Sequence, residues 1–362
     1  MDLNGREDAL VLQPVYLGLR NQILQLVPQE VGISPGQALP TVWGGLMEMR
    51  YPQAVVTLAL LADGTTSLYF SNGGGMLGGG QILPVAHASQ AWVAAAEMQY
   101  ANMPQTQAFP VPLPGKVRFY ILTYAGIYTA EGDEEELATG RHDLSGLFFA
   151  GQEVISRFRI SQQEGQVAAP QTLDELIRLS AAPLLKSVGF RKVAHTFQRQ
   201  VGEIWQVVNF QASQGNIGLH RKFTLNFGLY HPAIARLAGA APCPDGPKEE
   251  QCQVRTRIGG LQRVKRDWWW DVGQKSVGYE VVWALEECGL PWLEGHSNLS
   301  SMAEALREQP SILAAAAALA AGEQAEARRR LAQMIANRPL AAQAARQWAQ
   351  QQGWEGFDAP VV

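Results

Sequence analysis

Cysteine is scarce in this chain of 362 residues: there are three, Cys243, Cys252 and Cys288. Spacings of nine and 36 residues fit no zinc module, and an odd number cannot all pair with one another. A disulfide framework is thereby excluded, and reduced thiols in a cytoplasm are expected. Long apolar runs are missing too. The nearest, Ile312 to Ala321, is mostly alanine and falls short of the roughly 18 to 20 residues that cross a bilayer. The opening MDLNGREDALVL lacks the basic residues and apolar run of a secretory leader, so a soluble cytoplasmic protein is expected. An excess of one charge is also absent. The balance of 29 Lys and Arg against 33 Asp and Glu gives −4, and no overall basic field recruits nucleic acid or anionic lipid.

What is present suits a folded protein: 47% hydrophobic and 17% charged residues supply a sizeable core. At roughly 150 residues per domain, the length suggests two domains with additions. Periodic Leu17, Leu19, Ile23, Leu24 and Leu26 predict a helix over Val15 to Val31, stopped by Gly32 and Pro35. Ala54 to Ala62, Asp63-Gly64 and Thr65 to Ser71 read as a β-hairpin. A helix follows from Pro84 to about Asn102, then strands Val117 to Thr123 and Ala125 to Ala130, then a helix from Leu144 to Ile160. This order of helix, two strands, helix, strands and helix resembles small folds of the roadblock and profilin type, by topology only.

The polar segment Gln162 to Gln171 is the linker candidate. Thr172-Leu173-Asp174-Glu175 has capping-box spacing and opens a helix to Val188, with Gly189 after its end. From Gly189 to Leu229 three strand-like runs follow. In the last of them Phe223, Leu225, Phe227 and Leu229 alternate with Thr224, Asn226 and Gly228, the pattern of a half-buried antiparallel strand. Cys252 to Leu261 reads as a fourth strand, Glu280 to Cys288 as a helix ending in a turn at Gly289-Leu290-Pro291, and the residues after Ser300 as three helices. The fold class is α+β. It comprises a domain over 1–165, a second over 166–297, each with an antiparallel sheet and flanking helices, and a helical tail over 298–362.

Gly189-Phe190, Phe197, Val207 to Gln211, Phe223 to Gly228, Arg257-Ile258-Gly259 and the tryptophans of DWWWDV occur in that order. On these residues the segment from about Thr172 to Glu294 resembles an uncharacterised bacterial family, a domain of unknown function. The resemblance implies an α+β domain with an antiparallel sheet and no known catalytic residues. It also implies an immunity or accessory role, because such domains accompany bacterial toxin and conflict genes.

Four constellations bear on chemistry. Gly73 to Gly78 fits G-x-G-x-x-G and Glu97 lies 19 residues on. Its strand, however, closes a hairpin, where a dinucleotide site needs a parallel βαβ unit, so a flexible glycine loop is the expectation and no cofactor is implied. His195 and His220, with Asp267 or Asp271, hold the minimum for acid–base or metal chemistry, at uninformative spacing; no metal is expected. Asp133 to Glu136 reads as a solvated helix start. The fourth is Arg255, Arg257, Arg263, Lys265 and Arg266 interleaved with Asp267, Trp268, Trp269 and Trp270. An extended run cannot turn all three indoles to one core. Either Trp269 or the pair Trp268 and Trp270 points outward, and Trp and Arg dominate binding hot spots.

The sequence thus predicts a non-enzymatic protein-binding module without cofactor or metal. Its expected binding residues are Arg255, Arg257, Arg266, Asp267, Trp268, Trp269 and Trp270, and its partner a protein such as a cognate toxin. A membrane is not expected, nor is nucleic acid. The alternatives are a hydrolase or nuclease using His195, Asp267 and the arginines on an anionic substrate, and a roadblock-like regulatory scaffold.

Overall fold

The computed structural model describes residues 10, 12–36, 40–165, 169–216, 221–355 and 357. These fall into two compact units, one of the described residues up to 165 with Gln262–Lys265, the other of the rest. The fold is α+β, with one antiparallel sheet in each unit.

In the first unit helix α1 (Pro14–Leu24) starts on a proline at its first turn. It ends well before Val31, because Pro28 opens a separate 3-10 turn, Pro28–Val31. Strands β1 (Val42–Arg50), β2 (Val55–Leu61) and β3 (Thr66–Phe70) form a meander, extended by β4 (Gly75–Met76). Then come α2 (Leu83–Glu97), β5 (Gln105–Thr106), β6 (Lys116–Thr123), β7 (Gly126–Asp133), α3 (Glu134–Ala138) and α4 (Ser145–Glu164). The sheet order is β4-β3-β2-β1-β6-β7-β5. Central β1 is absent from the sequence reading, so the expected two strands before α2 become a meander of three, and the roadblock-like order is not matched.

Trp92 and Val93 of α2 and Leu147, Phe148 and Phe158 of α4 join the main core of this unit. Helix α1 is tied to the sheet by a buried polar network. Arg20 donates from Nε and Nη2 to both Glu48 oxygens at 2.7 and 2.8 Å, Thr57 Oγ1 donates to Glu48 at 2.8 Å, and Tyr16 bonds Thr57 at 2.8 Å. The glycine run is a tight turn: Gly73 and Gly74 have φ of 102° and 85°, and β4 returns antiparallel along β3. Glu97 accepts backbone N–H bonds from Thr41 and Val42 at 3.3 and 2.6 Å, which fixes the start of β1.

In the second unit α5 (Leu173–Leu176), a π-turn at Ile177–Ala181 and α6 (Ala182–Ser187) follow one another without a break. Thr172 Oγ1 caps Glu175 N at 3.1 Å as expected, but the Glu175 carboxylate reaches Gln171 N rather than Thr172 N. Strands β8 (Arg191–Val193), β9 (Thr196–Val201), β10 (Ile204–Ala212), β11 (Lys222–Tyr230) and β12 (Val254–Arg257) form a sheet in the order β12-β11-β10-β9-β8. Helix α7 (Pro232–Leu237) follows β11, and β13 (Trp270–Asp271) pairs with β11 beyond the end of β12. The fourth strand is shorter than expected, since Ile258–Leu261 turns into a 3-10 segment.

The inner face of this sheet is aromatic. Phe197, Phe210, Phe223 and Trp270 follow one another at centroid distances of 6.0, 6.4 and 5.5 Å. Helix α8 (Val277–Ala284), a π-turn at Leu285–Gly289 and α9 (Leu290–Gly295) run on without the expected turn at Gly289-Leu290-Pro291. A Cβ on Gly289 would lie 2.2 Å from the Phe227 ring, so the helix approaches the sheet at a position only glycine permits. Four helices follow, not three: α10 (Leu299–Ala305), α11 (Ile312–Ala320), α12 (Gln324–Asn337) and α13 (Ala342–Gln351). Buried Arg330 donates to the carbonyls of Ala303 and Ala314, and Trp348 Nε1 to that of Leu237, tying these helices to one another and to α7. Among the described residues no helix is long and apolar enough to cross a membrane.

Candidate recognition site

The tryptophan run resolves as a period of two requires. Trp268 and Trp270 are buried at 6% and 1% exposure, while Trp269 between them is half-buried on the outer face. Trp270 donates from Nε1 to Glu280 at 3.0 Å and pairs across the sheet with Phe223. Trp268 carries the Arg266 guanidinium over its ring at 4.1 Å. Trp269 is held on two sides: Nε1 donates to Asp267 Oδ2 at 2.8 Å, and the Arg257 guanidinium lies 5.6 Å from its ring centroid. Arg257 in turn bonds Asp267 at 3.3 Å. An indole on the surface is thus fixed by a cation and an anion that already satisfy each other.

Of the seven sequence-predicted residues, the structure joins Arg257, Asp267 and Trp269. Trp268 and Trp270 belong to the interior, and Arg266 packs on the first of them. Arg255 shares the strand face of Arg257 but gives its guanidinium to Glu249 through two bonds of 2.8 Å. Arg263 and Lys265 fall within the first unit.

Beside Trp269 the register assembles residues that, Arg257 apart, the sequence reading did not name as binding residues. Thr196 faces Asn209, Asn209 faces Asn226 and Asn226 faces Arg257, a row across β9, β10, β11 and β12. Asn209 Nδ2 donates to Thr196 Oγ1 at 2.9 Å, and Asn226 Nδ2 to Asn209 Oδ1 at 3.3 Å and to Gln211 Oε1 at 2.8 Å. Arg257 Nη2 also reaches Gln211 Oε1, at 3.4 Å. Thr224 lies opposite Gln211 and next to Phe223, whose partner in β13 is Trp270. The Thr224 hydroxyl is fully buried and has no hydrogen-bond partner among the described residues. In the residue pattern the signal for this row is the polar phase of the alternating strands; which polar residues meet depends on a pairing that the sequence leaves open.

An open cavity of about 670 Å³ adjoins the row, lined by Asp174, Lys192, His195, Thr196, Asn209 and Gln211. The two-residue turn between β8 and β9 forms its lip, with Ala194 in the left-handed region at φ 53°. His195 Nε2 lies 3.1 Å from Asp174 Oδ1. The expected grouping of His195 with Asp267 or Asp271 is therefore not made: Asp267 serves Arg257 and Trp269, and Asp271 accepts from Gly273 N in a turn. His220 lies outside the described residues. Among the described residues no group of three or more His, Cys, Asp or Glu side chains is placed to hold a metal.

The second unit is thus an α+β domain whose aromatic sheet face is covered by helices, while the other face carries an apolar cluster of Val207, Tyr230, Ala235 and Cys252 under α7 at one end and linked polar side chains beside an indole at the other. Residues 181–295 match a family described as a domain of unknown function, DUF4304. The matched segment carries β8 to β13 and the whole polar row, and leaves Asp174 outside. No curated protein and no solved structure matches the chain.

Proposed function

We propose that the second unit is a protein-recognition module that docks a partner on the outer face of its sheet around Trp269. The observation that carries this reading is the contrast within one tripeptide. Two indoles complete the core, and the third stands half-exposed, fixed by Arg257 and Asp267. A preorganised indole beside an arginine is the side-chain pair that concentrates binding energy, since little conformational freedom is lost on docking. The amide row extends that surface with hydrogen-bonding groups already aligned. In its narrower form the module is a bacterial immunity protein in the cytoplasm that covers a toxin's active surface; the family resemblance supports that version. The test is capture of partner by tagged full-length chain, wild type against Trp269→Ala, with melting followed in parallel. Retained capture by a Trp269→Ala protein of unchanged melting temperature would sink the reading.

A second reading is favoured by one contact, His195 on Asp174 at the cavity rim, an orientation that suits a general base. It makes the unit a hydrolase acting on an anionic substrate. Against it stand the arginines, of which Arg255 and Arg257 are already engaged by Glu249 and Asp267. Turnover of a phosphodiester substrate that is lost in His195→Ala would establish it.

A further inference from the structure

Two of the three cysteines meet at the apolar end of the outer face, and the sheet itself keeps the third away. A Cβ on Gly228 would lie 2.6 Å from Cys252 Sγ and 2.8 Å from Cys252 Cβ, so this side chain rests on β11 where glycine leaves it room. Tyr230 stands two residues further along the same face. Its hydroxyl accepts from Cys243 N at 3.0 Å and lies within hydrogen-bonding reach of the Cys243 thiol. Cys243 thereby packs on the cluster of Val207, Tyr230, Ala235 and Cys252. Cys288 belongs to the π-turn Leu285–Gly289, whose Gly289 lies against the Phe227 ring. Phe227 and Gly228 are neighbours in one strand and face opposite ways, so Cys288 sits across the sheet from Cys252.

The loop between the two is already pinned to the sheet. Pro247 O accepts from Gln198 Nε2 at 2.7 Å, Glu249 accepts two bonds of 2.8 Å from Arg255, and Cys252 Sγ donates to Lys248 O at 3.6 Å. Among the described residues no third His, Cys, Asp or Glu joins the thiols to make a metal site. Burial, with Glu249 nearby, pushes the Cys252 thiol up and keeps it protonated, whereas Cys243 is half-buried and within reach of a small oxidant. We propose that Cys243 and Cys252 are an oxidisable pair, which a hydroperoxide converts into an intramolecular disulfide. Cys243 sulfur, as thiolate, attacks the peroxide: the S–O bond forms, the O–O bond breaks, and water or an alcohol leaves with the proton the thiol gave up. Cys252 sulfur then attacks the sulfenic acid on Cys243. The S–S bond forms, the S–O bond breaks, and the hydroxyl leaves as water with the Cys252 proton. Two electrons pass from the pair of sulfurs to the peroxide. A loop with fixed ends favours this closure over a bond between chains. The bridge joins the start of the loop to the entry of β12 and is independent of docking at Trp269.

The experiment exposes the reduced full-length chain, freed of reductant, to a small excess of hydrogen peroxide and maps its peptides by mass spectrometry without reduction. The expected product is a single chain lighter by two hydrogens, with the Cys243 and Cys252 peptides linked and Cys288 still alkylated by iodoacetamide once the chain is denatured. Dithiothreitol should restore both thiols. Cys252→Ala should stop at a sulfenic acid on Cys243, trapped by dimedone, and Cys243→Ser should leave Cys252 a thiol at the same dose. Cys288→Ala should form the bridge as wild type does. Circular dichroism checks that each variant is folded, and the wild-type map stands by itself if one is not. A link to Cys288, a bridge between two chains, sulfinic acid on Cys243 without a link, or three intact thiols at a dose that oxidises glutathione overturns the proposal.

Discussion

Replacing Trp270 by alanine should damage the second unit far more than the same change at Trp269, and the size of the gap follows from two contacts. Trp270 is 1% exposed and stacks on Phe223 at 5.5 Å, so truncation leaves an indole-sized void and costs about 3–5 kcal/mol. Its Nε1 is also one of the donors to Glu280, which is 0% exposed and accepts from Gln274 at 2.6 Å and Ser276 at 2.8 Å as well. Trp270→Phe keeps a ring on Phe223 and removes only that donor, which isolates a charge-assisted bond of about 1.5–3 kcal/mol. Trp269→Ala removes a half-exposed ring and its bond to solvent-exposed Asp267, and should cost about 1 kcal/mol or less. Against a total stability of about 5–15 kcal/mol these are large differences. Urea denaturation at 25 °C followed by far-ultraviolet circular dichroism reads all three variants without relying on indole fluorescence. Equal midpoints for the Trp269 and Trp270 alanine variants, or a Trp270→Phe protein as stable as wild type, would show that the burial pattern drawn here is wrong.

Two further outcomes concern the first unit. Arg20→Met strands the Glu48 carboxylate, which is 0% exposed, and should lower stability by about 3–5 kcal/mol, whereas adding Glu48→Leu should restore most of the loss; a double variant no better than the single one would mean that the pair is not an isolated buried charge couple. Burial, with repulsion from Arg263 and Arg157, lowers His87 from 6.5 to about 4. The folded chain therefore binds this proton less readily than the unfolded one, so the contribution is complete above pH 6.5 and is lost as pH falls toward 4. Denaturation midpoints between those values should depend less on pH in His87→Gln, and an unaltered slope refutes the assignment.

Elements whose cause is local were legible in the sequence, and those whose cause is a distant neighbour were not. Asp63-Gly64 announced the β2–β3 hairpin because turn chemistry lies within four residues, and Thr172 announced the second unit's first helix by capping it. Strand β1 was missed because Gly44, Gly45 and Glu48 interrupt the strand pattern that Val42 and Trp43 begin. Gly44 and Gly45 lower strand propensity, yet a Cβ on Gly45 would lie 2.6 Å from the Trp92 ring and from the Tyr120 carbonyl, and one on Gly44 would lie 2.7 Å from Leu61 Cδ2. Glu48 looks like a surface residue until Arg20, 28 positions earlier, is seen to neutralise it.

The same division runs through the candidate site. Periodicity alone set Trp269 opposite to Trp268 and Trp270, without saying which side faces out, because alternation is a property of a single strand. It could not say that Asn209 meets Asn226, or that Gln211 receives both Asn226 and Arg257, since those contacts are properties of register. Register here is set from the other face: Phe210 opposite Leu225, and Val208 opposite Phe227, fix the pairing by filling the core. A one-residue slip would turn the amides into the aromatic core and the phenylalanines out of it, a far larger cost than any bond in the polar row. The aromatic core therefore holds the outer row in alignment, and the row's own hydrogen bonds need only orient side chains already brought together. That separation leaves the outer face open to variation: changes at Gln211 or Trp269 should alter what is bound while β11 keeps its place, whereas a change at Phe227 should disturb both.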